Sequence, residues 1–185
     1  MPTPTSLQRK PFWAPVGLAA ASALAAALVM ALLAWLLVTA RSTTVIVVRD
    51  AETASDASAL SSEGRARAAL LASMFGDARL KDPVDAIYVS PSLATQATAL
   101  PLAQRLGIKS VVVAPDTPRA WARRLLREHR GQRILVVPSA DTARDMAAEL
   151  SGIKDIPRIL SMDFGTMYIV TVPRFGRANL LSVNY

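Results

Sequence analysis

Three short stretches of this 185-residue chain put charges or hydroxyls directly after apolar runs: Arg49-Asp50-Ala51-Glu52, Ser90-Pro91-Ser92-Leu93-Ala94-Thr95-Gln96-Ala97-Thr98-Ala99 and Pro138-Ser139-Ala140-Asp141-Thr142. Asp50 could act as a nucleophile, since carboxylates form acyl phosphates, and the Ser90 or Ser139 hydroxyl could do so with a base beside it. Arg49, together with helix N-termini opening near Ser92 and Thr142, would attract an anion. With no cysteine in the chain, disulfides and thiolate metal sites are excluded. No metal site and no cofactor is expected.

These residues need a scaffold that delivers them to one place. The run Val45-Ile46-Val47-Val48 is too short for a helix and suits a fully buried central strand, Thr43 to Glu52 being the stretch that ends it in charge. In open α/β sheets, ligands bind outside the carboxyl ends of the strands, so this end is the first place to look for a site. After a small polar loop at Ala54 to Ser62, Glu63 to Phe75 reads as a helix capped by Ser61 or Ser62 and stopped by Gly76, with Arg65 and Arg67 outside. Strand Val84–Val89, helix Ser92–Leu106 with a kink expected at Pro101, strand Lys109–Val113, helix Pro118–Arg130, strand Arg133–Val137 and helix Thr142–Leu150 follow in turn. Such alternation implies a mostly parallel sheet covered on both faces, a three-layer α/β/α sandwich. Met167–Val172 and Ala178–Asn184 break the alternation and read as a terminal antiparallel hairpin or edge pair.

The first forty residues differ in kind. From Trp13 to Ala40 there is no charged residue, and a bilayer core of ~30 Å needs ~20 helical residues, so 14–40 can span a membrane. Arg9 and Lys10 precede it, which leaves the tail 1–13 in the cytoplasm and delivers 41–185 across the membrane. The rival reading is a signal peptide cleaved after Val38-Thr39-Ala40, but an apolar core of ~7 to 15 residues is usual for one and this run is longer. Trp13 and Trp35 suit the two ends of a span. Alanine and arginine usage has a bacterial character, so the expected location is a bacterial inner membrane, single-pass, with a periplasmic domain.

Residues 41–185 hold 19 basic and 14 acidic residues, a net +5. That favours anionic surfaces but is too dispersed to suggest nucleic acid. Arg119, Arg123, Arg127 and Arg130 recur at helical spacing; this is either a solvated face or one that rests on anionic headgroups. His129, the single histidine, is expected to be solvated near a helix C-terminus.

Thr43 to Tyr185 resembles a degenerate member of the histidine phosphatase superfamily, the phosphoglycerate-mutase-like fold. In that family the first strand ends in Arg-His-Gly-Glu or Arg-His-Ala-Glu with a nucleophilic histidine. The second leads into Ser-x-x-x-Arg-x-x-Gln-Thr-Ala with a phosphate-binding arginine, and the fourth into Gly-His-Ser. Tyr168-Ile169-Val170-Thr171-Val172-Pro173-Arg174 and Tyr185 resemble its last strands. Here Arg49 and Glu52 match, but Asp50 stands at the nucleophile, Ala94 at the second arginine and Ser139 at the second histidine. Asp116 is the only carboxylate between Val111 and Arg127, where a proton donor would be sought.

The resemblance therefore implies a vestigial pocket of Arg49, Asp50, Glu52, Ser90, Ala94 and Ser139, with Arg49, Ser92 and Thr142 as its remaining anion-seeking groups. A carboxylate at the position of an imidazole repels a phosphate by about 4 kcal/mol at ~4 Å and an effective dielectric of ~20, roughly three decades in affinity. An Arg49–Asp50 ion pair in a silenced pocket is expected. The chain is read as a pseudophosphatase that binds or scaffolds a protein partner. The alternative is a residual phosphomonoester phosphatase using Asp50 or another group, with or without a metal ion, since Asp50-Ala51-Glu52 after a strand also resembles the nucleophile motif of haloacid-dehalogenase-like phosphatases. Ser90 and Ser139 lack a Gly-x-Ser-x-Gly elbow and read better as helix caps.

Overall fold

The computed structural model describes residues 14–39, 41–54, 59–77, 83–113, 117–154, 156 and 165–185. The tail with Arg9, Lys10 and Trp13, the residue Ala40, and Asp116 lie outside these. The chain forms two units, one ending at Thr39 and one from Ala40 to Tyr185.

The first unit is the helix α1 (Ala14–Thr39). At ~1.5 Å per residue it is long enough to cross a bilayer, and its central stretch Ala19–Leu36 is apolar and fully exposed.

The second unit runs β1 (Thr43–Val48), α2 (Ser62–Phe75), β2 (Ala86–Val89), α3 (Leu93–Leu106), β3 (Ser110–Val112), α4 (Pro118–Glu128), β4 (Arg133–Val137), α5 (Ala140–Ser151), β5 (Thr166–Val172) and β6 (Asn179–Asn184). The six strands form one sheet in the order β3-β2-β4-β1-β5-β6. β1, β2, β3 and β4 are parallel, whereas β5 and β6 are antiparallel additions at one side. The three-layer sandwich with a C-terminal antiparallel hairpin is therefore formed as the sequence implies.

Why β1 sits at the centre follows from its composition. Val45 and Val47 belong to a core with Trp121, Leu125 and Met146 of α4 and α5, while Ile46 and Val48 pack with Leu71, Ala99 and Leu102 of α2 and α3. Successive side chains point to opposite faces, so an unbroken aliphatic run fills both cores, each fully buried side chain contributing roughly 1.5–3 kcal/mol.

Local signals end most elements where the sequence says. Ser61 Oγ accepts from Gly64 N–H at 2.9 Å and opens α2. Gly107 and Gly152 close α3 and α5 in the left-handed conformation. α3 runs through Pro101 without a break. Helix α4 ends at Glu128 and not at Arg130, because His129 leaves helical geometry and Gly131 turns the chain at φ 75°. Arg130 thus falls off the helical stripe to which its spacing assigned it.

His129 is not a solvated side chain either. Its Nε2 meets the Tyr88 hydroxyl at 2.6 Å, its Nδ1 meets Gln132 Oε1, and its ring packs edge-on against Tyr88. The histidine ties the end of α4 to β2, a contact across 41 residues that helical spacing cannot show.

Candidate functional site

Parallel pairing of β1 with β4 and of β4 with β2 brings three carboxyl ends to one edge of the sheet, so Arg49-Asp50, Ser90 and Ser139 are neighbours as the three sequence stretches require. Asp50 lies two residues beyond β1 and is half-buried. Burial is the largest influence on its carboxyl and pushes the pKa up from the ordinary Asp value; the Arg49 charge and the backbone N–H groups of Asp50 and Ala140 pull it down, and Asp141 pushes it up again. Ala140 is the first residue of α5. The Asp50 carboxylate therefore stands at a helix N-terminus, where the dipole and unpaired N–H groups favour negative charge.

Asp50 Oδ1 is buried with no hydrogen-bond partner among the described residues. The Arg49 charge acts on the Asp50 carboxyl, and a close ion pair at this strand end joins Arg67 Nε to Glu52 Oε1 at 2.6 Å. Arg67, placed outside by its helical position, is half-buried and also donates through Nη1 to the Tyr185 carbonyl at 3.3 Å. Glu52 is thereby engaged in joining α2 to the last strand. Tyr185 is pushed up to about 12, chiefly by burial.

The hydroxyls serve the backbone. Ser92, not Ser90, caps α3, its Oγ accepting from Thr95 N–H at 3.2 Å. Ser90 Oγ donates to Thr95 Oγ1 at 3.1 Å. Ser139 holds the cap position of α5 but makes no side-chain cap bond, its Oγ meeting Thr142 Oγ1 at 2.9 Å. The Thr142 N–H, expected to face an anion, donates to the Ser139 carbonyl at 2.9 Å. Helix α5 begins two residues earlier than its sequence signal, so the N–H near the carboxylate is that of Ala140.

Ala94 lies where the second arginine is sought, and it packs with Ala97 against the buried Ala51, Leu60 and Ala68. Thr98, in the second polar stretch, accepts through Oγ1 from Ala51 N–H at 3.0 Å while donating to the Ala94 carbonyl at 2.7 Å. This bond locks the loop after β1 onto α3. Among the described residues no group of His, Asp and Glu side chains could hold a metal ion.

Burial of Asp50 has a pH signature. A carboxyl whose folded pKa lies above its unfolded value stabilises the fold below the unfolded pKa, near 3.8, and loses that contribution as pH rises through the folded value. Asp50→Asn is expected to raise the unfolding temperature at pH 7, and the gain over the natural chain should vanish in scans taken below about pH 4. A gain that persists undiminished in acid would contradict this assignment.

A mostly parallel sheet with an antiparallel edge and a polar cluster at the carboxyl ends of β1, β2 and β4 defines an α/β protein. Comparison with solved structures gives the class: the soluble unit has the fold of the histidine phosphatase superfamily. The protein histidine phosphatase SixA complexed with tungstate matches with a TM-score of 0.59 at 19% identity, covering 76% of this chain and 96% of that one. Mycobacterial glucosyl-3-phosphoglycerate phosphatase matches with a TM-score of 0.57 at 14% identity, covering 78% and 99%, and mycobacterial hydrolase 1 with 0.54 at 16%, covering 79% and 99%. By sequence, no protein-family model and no curated protein matches the chain.

Proposed function

We propose that the chain is a membrane-tethered histidine-phosphatase-fold module that has lost phosphoryl transfer and works by binding or scaffolding a protein partner. The observation that carries this reading is the position of Asp50: its carboxylate lies near the Ala140 N–H at the start of α5, so a fixed negative charge of the chain itself stands where the family places its nucleophilic histidine. Phosphoryl transfer is catalysed almost entirely by positive charge and N–H donors placed around the transferring oxygens. A permanent carboxylate among them works in the opposite sense, and Ala94 in its apolar cluster supplies no compensating cation.

Helix α1 supplies the tether, its N-terminal side cytoplasmic and the soluble unit on the periplasmic side of a bacterial inner membrane. The partner is a protein rather than nucleic acid, since the basic residues of 41–185 are dispersed along the sequence among 14 acidic ones.

The full chain, held in detergent or a bilayer, is expected to release no phosphate from p-nitrophenyl phosphate above buffer, with or without magnesium. Turnover that Asp50→Ala abolishes would overturn the reading in favour of an aspartyl nucleophile.

A further inference from the structure

Strand register gathers, at the end of the sheet opposite the candidate site, residues that the site does not use. Thr43 pairs with Val172, so the turn 173–178 between β5 and β6 lies beside the first residue of β1. Phe175 at its tip is 75% exposed, the Arg174 guanidinium sits 5.7 Å from the centre of its ring, and Arg177 is exposed. On the other side of β1, Gly131 N–H donates to Thr43 Oγ1 at 3.0 Å, and a Cβ on Gly131 would lie 3.0 Å from that of Arg41. Arg41 and Arg130, both exposed, therefore reach the same end.

Two acidic side chains at the neighbouring ends of β2 and α4 are already engaged: Asp85 Oδ2 accepts from Arg133 N–H at 2.8 Å, and Glu128 pairs with Arg124 at 3.1 Å. Among the described residues, this end carries an exposed phenylalanine and four exposed arginines, Arg41, Arg130, Arg174 and Arg177. Residues 40–42 alone separate α1 from β1. Four extended Cα steps reach at most roughly 14 Å, so the covalent tether between Thr39 and Thr43 is short.

We propose that this end of the soluble unit is a docking surface for anionic lipid headgroups, with Phe175 entering the headgroup layer and Arg41, Arg130, Arg174 and Arg177 facing lipid phosphates. Aromatic rings favour that layer, and each basic residue near an anionic surface strengthens binding by about fivefold. A short tether supplies a high effective concentration of surface, so a few such contacts suffice. The surface differs from the arginine stripe of α4. In that stripe Arg119 lies 4.0 Å from Glu149 of α5.

The proposal rests on α1 spanning the bilayer, and the experiment reads the two separately. The cysteine-free chain permits a single reporter: full-length Phe175→Cys carrying an environment-sensitive fluorophore, in nanodiscs of phosphatidylcholine with or without phosphatidylglycerol, against the same label on Glu63→Cys at the far end. In anionic discs, iodide quenching at position 175 should fall at least ~5-fold below that at 63, and Arg174→Glu with Arg177→Glu should restore it. Equal quenching at the two positions in anionic discs overturns the proposal, as does equal protection in neutral and anionic discs. Loss of the chain from the discs during gel filtration overturns the anchor itself, and this surface with it.

Discussion

Replacing Asp50 by alanine should let the chain take up tungstate, the ion bound in one of the matched structures, with the dissociation constant falling by about two to three orders of magnitude relative to the natural chain. The argument is electrostatic. The Asp50 carboxylate stands near the Ala140 N–H at the start of α5, and its approach to a bound oxyanion costs about 4 kcal/mol for a unit pair at ~4 Å and an effective dielectric of ~20. Partial exposure of Asp50 to water screens some of this, which is why the lower bound is two decades and not three. Alanine removes the charge and leaves the helix terminus facing open space; Asn removes the charge but keeps the volume, so it should recover less affinity than Ala. Titration calorimetry of the full chain in detergent gives the answer. Equal and negligible heats for Asp50→Ala and the natural chain would show that the carboxylate is not what closes the anion site.

The second large effect is structural. Gly64→Ala should destabilise the soluble unit by about 3 kcal/mol, the upper end of what overpacking usually costs. Gly64 lies in the first turn of α2, and a Cβ there would sit 2.1 Å from the Glu52 carbonyl oxygen, a backbone atom that cannot swing aside. That same carbonyl accepts from Ser61 N–H at 2.9 Å, so relieving the clash also breaks the bond joining the α2 cap to the loop after β1. Gly107→Ala is the useful contrast. Its φ of 67° strains an L-residue by roughly 1–2 kcal/mol, but nothing lies within 4 Å of the added carbon, so the smaller loss is expected there. Thermal scans of both variants would rank them, and a Gly64→Ala chain as stable as Gly107→Ala would contradict the close approach. Because the loop in question carries Asp50 and Glu52, the Gly64 variant should also loosen the site.

The two main cores draw on β1, β2, β4, β5 and the helices that cover them, and neither includes Asp50, Glu52 or Ser139. Substitution at those positions therefore leaves the aliphatic core intact. What the polar residues at the strand ends now supply is local connection: Arg67 to Glu52 and to Tyr185, Thr98 to Ala51, Ser92 to Thr95.

By itself the sequence determined the order and kind of every element, because the signals involved are local. Unbroken aliphatic runs mark doubly covered strands, hydroxyls cap α2 and α3, and glycines at Gly107 and Gly152 accept the left-handed turn that ends a helix. It also placed Asp50 and Ser139 just after β1 and β4, and Ala94 in the helix that follows β2. Tertiary structure alone decided which partners those residues have. Glu52 pairs closely with an arginine fifteen residues away, and His129 finds Tyr88 across the sheet. Ion pairs and hydrogen bonds depend on distances of a few ångströms between segments far apart in the chain, and no local pattern encodes them. The same holds for the arginines around Phe175: spacing assigned Arg130 to a helical stripe, whereas the antiparallel register of β5 against β1 brings Arg174 and Arg177 to its end of the sheet.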